Sequence, residues 1–389
     1  MEYKISEKMK DMKPSAIREI FKSLSDPEMI AFAAGNPAPE SFPVKELNEI
    51  SNYIFQNNAV TALQYSISEG YPALRESVKK RLNVKDTVII VSGGQQGLEL
   101  TNKVMCNPGD VVLCENPSFI GALNAYRSNG TIPVGVDIDE DGINIEKLEH
   151  ALKTIPNVKL LYVIPNFQNP AGLTMSLEKR KAVYSLALKY GVIILEDNPY
   201  GELRFRGEDI PTIKSMDTEG IVVYCGSFSK ILSAGMRVGF LCAPDELMQK
   251  IVVAKQVEDV HTNIFFQMVC ERFMNHYDLE GHIQKVRGIY RAKCHNMLTA
   301  LDKYMPKEVK YTRPDGGLFI WCTLPDSIPL NDFVQTALAQ KVAVVPGTAF
   351  NCDETAPSQS FRITYSTPSP EQIERGVKIM SEIVGGFLR

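Results

Sequence analysis

The sequence predicts an α/β fold: a large domain built on a mostly parallel sheet covered by helices, joined to a smaller α+β domain. Two observations carry this. Between about residue 35 and residue 270, short β-prone runs alternate with helix-length amphipathic segments, the pattern of parallel strands linked by helical crossovers. The length, 389 residues, exceeds one ordinary domain, so one large and one small unit is the expected division. Hydrophobic residues make up 44% and charged residues 23%, which is enough apolar material for a sizeable core in a globular chain.

The elements follow in order. Residues 1–34 form an expected N-terminal arm, with an amphipathic helix over 15–24 ahead of the apolar run 29–34. The large domain is assigned to 35–285. Its strands are predicted at 87–91, 111–114, 132–136, 160–164, 192–195 and 221–225, each short, apolar and rich in β-branched residues. The intervening helices include 176–190, with Ser176 as its cap and Gly191 as its stop. The stretch 245–301 keeps helical spacing, weakened only around Gly281 and Gly288, and reads as a long connecting helix. The small domain, 286–389, is expected to hold strands at 317–324, 343–345 and 362–365 and helices at 331–340 and 370–384.

Charge and cysteine usage exclude several function classes. The net charge of −4 gives no electrostatic reason to bind nucleic acid, and no run of like charge forms a tail. The longest apolar stretches fall far short of a membrane span, and the polar N-terminus lacks a signal peptide's apolar core. Eight cysteines with no Cys-x-x-Cys pair read as small buried hydrophobes in a reducing, cytoplasmic setting. The five histidines form no metal-ligand spacing, so no metal is expected.

Four places carry candidate chemistry. Lys230 stands in Ser227-Phe228-Ser229-Lys230, just past a predicted strand, with Arg237 seven residues on. Open α/β sheets place ligands at such strand ends, and desolvation there lowers a lysine's pKa and frees its amine for Schiff-base formation. By itself the tetrapeptide also fits a solvated surface lysine. The turn Ser92-Gly93-Gly94-Gln95-Gln96-Gly97 joins a strand to a helix; it suits an anion through backbone N–H groups and the helix N-terminus, or is an ordinary turn. It matches neither the dinucleotide nor the nucleoside-triphosphate glycine pattern. Asp197 ends an apolar strand, where a carboxylate is costly unless paired, and its neighbour Glu196 points to the other face. Arg362, between Phe361 and Ile363, suits a buried carboxylate partner or a surface strand.

Taken with Pro165-Asn166-Phe167-Gln168-Asn169-Pro170-Ala171-Gly172, Leu195-Glu196-Asp197-Asn198-Pro199-Tyr200 and Phe361-Arg362-Ile363-Thr364, the chain resembles the fold-type I aminotransferases that use pyridoxal 5′-phosphate. The likeness is to their aromatic, kynurenine and 2-aminoadipate branch, from about residue 15 to the C-terminal helix. It implies a PLP-dependent transferase moving an amino group from an L-amino acid to a 2-oxo acid, with 2-oxoglutarate favoured as acceptor. It further implies a homodimer whose active sites lie between the two domains, with N-terminal residues joining the C-terminal segment.

Residue by residue, the resemblance makes Lys230 the Schiff-base lysine and proton shuttle. Gly94 and Gln95 would offer backbone N–H groups to the phosphate, Ser227 and Ser229 hydroxyls, and Arg237 its charge. Tyr65 would reach the neighbouring subunit's phosphate. Asp197 would lie beneath the pyridine nitrogen and keep it protonated, while Asn169 and Tyr200 would bond the phenolate oxygen. Phe119 takes the place of the ring-stacking aromatic, where the family often has tyrosine; alone it would read as core packing. Arg362, helped by Asn169, would hold the substrate's α-carboxylate. Gly35 and Asn36 would line the pocket, and Arg18, on a mobile N-terminal helix, would meet a distal carboxylate or simply face solvent. A carbon–sulfur β-lyase on the same cofactor stays open, since the fold does not choose the chemistry. So does a ligand sensor, although only about 30 residues, not notably basic, precede the cofactor motifs.

Overall fold

The structure, a computed structural model, describes residues 3–10 and 26–389. The expected helix over 15–24, and Arg18 with it, lie outside the described residues. The large sheet contains β2 (Thr87–Val91), β3 (Val111–Asn116), β4 (Ile132–Asp139), β5 (Gly142–Ile143), β6 (Val158–Val163), β7 (Ile193–Asp197), β8 (Val222–Ser227) and β9 (Gly239–Ala243), after a short N-terminal β1 (Ile30–Ala31) that lies elsewhere. Its strand order is β2-β9-β8-β7-β6-β3-β4-β5. The four central pairings, from β8 to β4, are parallel. β9 runs against both its neighbours. β9 and the two-residue β5 were not among the predicted strands: β9 is a glycine-led run that returns antiparallel to β8 after residues 228–238, without the α-helix that flags a crossover.

Period-two alternation decides which side chains meet. In β6, Leu160 and Tyr162 enter one core layer and Leu161 and Val163 the other. In β7, Leu195 belongs with the first pair and Ile194 with the second. The strand ends inherit this phase, so Asp197 falls on the side of Tyr162 and Glu196 on the opposite side. Both layers are closed by helices, as the continuous apolar strands require.

Helix limits follow their caps. The helix Leu177–Tyr190 starts where the Ser176 side chain accepts from the Lys179 N–H, and ends at Gly191, whose φ of 67° an L side chain would resist. The single long helix expected over 245–301 is instead three: Asp245–Glu258, Ile264–His276 and Leu279–Tyr304. The breaks fall at Val260, with φ 63°, and before Asp278, while Gly281 and Gly288 sit inside the last helix. Asn263 and Asp278 restart the helices by accepting from the Phe266 and Gly281 N–H groups. Asn and Asp caps outweighed the apolar spacing that suggested continuity.

A second sheet of four antiparallel strands is ordered β10 (Lys310–Tyr311), β11 (Phe319–Thr323), β14 (Ser360–Thr364) and β13 (Val345–Pro346). β1 pairs in parallel with β12 (Val342–Ala343), so the N-terminal segment is stitched to the C-terminal part of the chain. Among the described residues, no helix is long and apolar enough to cross a membrane.

Candidate active site

A cavity of about 320 Å³ opens at the C-terminal ends of the parallel strands and is roofed by β11 and β14. It collects Gly35, Asn36, Gly94, Gln95, Phe119, Asn169, Asp197, Tyr200, Ser227, Ser229, Lys230, Arg237 and Arg362, all picked out in the sequence. Among the described residues, Tyr65 does not line it. Tyr65 is 82% exposed, with its ring edge-on to His261 at 5.8 Å. Arg18 lies outside the described residues.

Lys230 follows β8 and is half-buried at the cavity wall. Its Nζ donates to the Gly35 carbonyl at 2.8 Å. Burial, and then the positive charges of Arg362 and Arg237, lower its pKa to about 8. Near neutrality this amine therefore carries a usable fraction of the free base.

One end of the cavity is built to receive an anion. The turn after β2 reaches Gly93 at φ 83°, and the helix Gly94–Met105 begins there with no side-chain cap; the Gln96 N–H turns back to the Gly93 carbonyl at 3.2 Å, leaving those of Gly94 and Gln95 for an anion. Arg237, held in the left-handed region at φ 55°, lays its guanidinium against Gly93, where a Cβ would collide with it. Nη2 of Arg237 donates to the Ser92 carbonyl at 3.4 Å. Gly239 lets this turn approach β9: a Cβ there would sit 2.9 Å from Gly93 C and Gly94 N. The Gln95 side chain is tied at one point, its Nε2 donating to the Gly121 carbonyl at 2.8 Å.

The floor is Asp197, 5% exposed. Its Oδ2 accepts from the Tyr162 hydroxyl at 2.8 Å, and it joins no ion pair among the described residues. Burial pushes its pKa up to about 7 against the lowering effect of Tyr162. A carboxylate kept this short of partners would gain from a cation placed above it. Tyr200 stands nearby, its hydroxyl 3.5 Å from Asn169 Nδ2 and its ring edge-on to Phe319 at 5.7 Å.

At the roof, Arg362 is 3% exposed and lies between the Phe319 and Phe350 rings, 4.2 and 5.0 Å from their centroids. Nη1 donates to Asn169 Oδ1 at 2.8 Å and Nη2 to the Ala33 carbonyl at 2.9 Å. Nε is a buried donor with no acceptor among the described residues. Burial lowers the guanidinium pKa to about 10. The stacked, under-bonded fork is suited to a carboxylate.

Residues 27–380 match the family described as aminotransferase class I and II. The chain belongs to that family. It is 39% identical to the aromatic-amino-acid aminotransferase 1 of Thermococcus litoralis, over 97% of this chain and 93% of that protein. It superposes with a TM-score of 0.95, at 37% identity and covering 99% and 98% of the two chains, on the kynurenine aminotransferase of Pyrococcus horikoshii solved with PMP. For the α-aminoadipate aminotransferase of Thermus thermophilus, solved with N-(5′-phosphopyridoxyl)-L-leucine, the TM-score is 0.92 at 37% identity, covering 99% and 98%. The chain is thus a fold-type I, PLP-dependent aminotransferase. The cavity fits that cofactor: an anion cradle, a partner-poor carboxylate, an amine of lowered pKa and an unmatched guanidinium donor share one space.

The sequence reading of this aminotransferase missed three contributors. Tyr162 was recoverable, since β6 alternation and its register opposite Leu195 put it on Asp197's face. Phe319 and Phe350 were not, because they reach Arg362 from distant strands and turns.

Proposed function

We propose that this aminotransferase moves the amino group of an L-amino acid to a 2-oxo acid in two ping-pong half-reactions, with 2-oxoglutarate as the favoured acceptor. The named activities of its relatives support an aromatic, kynurenine-type or 2-aminoadipate donor. One observation carries the reading: the lowered-pKa amine of Lys230, the buried Asp197 and the under-bonded Arg362 face one cavity.

Gly94 and Gln95 N–H groups, the Ser227 and Ser229 hydroxyls and Arg237 would hold the cofactor's phosphate, with Phe119 against its ring. Lys230 would be the point of its covalent attachment. When bound, pyridoxal phosphate supplies a carbonyl carbon for the amino group and a ring that withdraws electrons from the substrate's Cα. Asp197 would keep a proton on the nitrogen of that ring by charge, and Asn169 and Tyr200 would bond its phenolate oxygen. Arg362 anchors the α-carboxylate and so aims the Cα–H bond at Lys230 Nζ. Lys230 takes that proton as a base in the first half-reaction and delivers one to the oxo acid's Cα in the second. Gly35 and Asn36 close the substrate side. Arg18 is the proposed contact for a distal carboxylate.

Support for a homodimer comes from Val60, Leu63, Tyr65 and Val257, exposed apolar side chains close in sequence to Tyr65 or to its ring partner His261. In it, Tyr65 would complete the partner's phosphate site. On the same reading residues 1–34, 35–285 and 286–389 are the arm, the large domain and the small domain, and the protein works in the reducing cytoplasm. Lys230→Ala tests the assignment: it should lose turnover by about a thousandfold or more while folding normally. Retained turnover with cofactor bound contradicts it. Mixing holoenzyme with one amino acid and no oxo acid should give one equivalent of oxo acid and stop; continuing release of ammonia and pyruvate would indicate elimination.

A further inference from the structure

Behind the anion-receiving turn lies a buried ionic cluster that none of these steps uses. Lys255, on the helix Asp245–Glu258, is 0% exposed. Its ammonium donates to Asp259 Oδ1 at 2.7 Å and Oδ2 at 2.9 Å, to Thr262 Oγ1 at 3.0 Å and to Gln96 Oε1 at 3.1 Å. Burying an ammonium is expensive even when it is fully bonded, so such a group calls for a reason beyond stability.

All three of these partners also meet the turn at Ser92, Thr262 through a 3.1 Å contact between the two hydroxyls. Asp259 Oδ2 accepts from the Ser92 hydroxyl at 2.7 Å, and Gln96 Oε1 accepts from the Ser92 N–H at 2.7 Å. The Ser92 carbonyl meanwhile accepts from Arg237 Nη2. Ser92 is therefore clamped on one side by groups that Lys255 fixes and on the other by the guanidinium that faces the cavity. Neither Lys255, Asp259, Gln96 nor Thr262 lines that cavity. An i,i+4 Lys–Asp pair that only secured its own helix would not need bonds from a different strand-to-helix turn, and here they converge on one residue.

We propose that Lys255 is a positioning residue for the cofactor's phosphate. Through Asp259 and Gln96 it locks Ser92, and so fixes both the first N–H groups of the helix Gly94–Met105 and the guanidinium of Arg237. The proposal rests on the reading of this turn as the phosphate site.

The test compares pyridoxal phosphate with pyridoxal, the same aldehyde without the phosphate, as ligands titrated into cofactor-free enzyme. The readout is the ratio of their dissociation constants. Groups that orient a ligand's direct contacts are worth on the order of 10- to 100-fold, so Lys255→Met should cut the preference for the phosphorylated ligand by about tenfold or more. Pyridoxal affinity should change by less than about twofold, since it makes no use of the turn. Ser92→Ala severs the turn from Asp259 and Thr262 but spares the Lys255–Asp259 pair; it should shift the ratio in the same direction by about threefold or more, and it carries the test if Lys255→Met fails to fold. Equal weakening of both ligands, or an unchanged ratio in Ser92→Ala, overturns the proposal. A wild-type enzyme that binds both ligands equally well would instead remove the phosphate reading of the turn beneath it.

Discussion

Glu196 and Asp197 are neighbours at the end of β7, both buried, and they lead opposite lives. Glu196 faces the layer away from the cavity, where its two oxygens accept from the Ile213 and Lys214 N–H groups at 2.9 and 2.7 Å. Burial raises its pKa, opposed by those two bonds and by the charges of Arg180 and Lys214. Asp197 faces the cavity with one phenolic hydrogen bond. The difference teaches where a ligand fits. A carboxylate whose lone pairs are filled by backbone ties loops to a strand, whereas one left nearly bare has electrostatic work to offer an incoming cation.

Substitutions on the two faces should separate cleanly. Asp197→Asn removes the charge beneath the cofactor's ring and should lower kcat/KM by about 10²- to 10³-fold in steady-state assays, with the fold intact. Glu196→Gln keeps one acceptor and should leave kcat/KM within about threefold, but lower stability by about 1–3 kcal/mol in denaturant melts. Comparable activity losses in the two variants would break the comparison. At the roof, Arg362→Lys loses the planar fork and should cost about 10- to 100-fold in kcat/KM, mainly through KM for the amino acid.

How far these contrasts were legible beforehand depends on range. The phase of β7 was, because a run of apolar residues alternating between two layers sets the direction of whatever follows it. Lys230, Asp197, Asn169 and Arg362 were located by residue type at strand ends and by family likeness, and they do meet in space. What the chain could not announce were contacts made across long separations: the Phe319–Arg362–Phe350 stack, and the Lys255 cluster, which joins a helix near residue 255 to a turn near residue 92. The interrupted helix over 245–301 was misread because Asn and Asp caps leave a weaker trace than glycine.

A subtler difference concerns protons. Asp197 has a folded pKa of about 7, above its ordinary 3.8, so between those values the folded protein holds a proton that the unfolded chain releases. Its contribution to stability therefore falls as pH rises from about 4 to about 7. In cofactor-free protein, Asp197→Asn should gain on the wild type by about 2–4 kcal/mol across that window in pH-dependent melts. A constant offset would mean that Asp197 is not held protonated. Tyr162→Phe is the smallest perturbation. It deletes a bond that lowers the Asp197 pKa, so the acid limb of the kcat profile should move to higher pH, with about two- to fivefold loss at neutrality.

All of this depends on the Lys230 amine being the one that meets the cofactor's aldehyde. Borohydride reduction of the holoenzyme, digestion and mass mapping of the phosphopyridoxyl group test that directly. The account predicts one modified residue, Lys230; a label on any other lysine, or none at all, would contradict it.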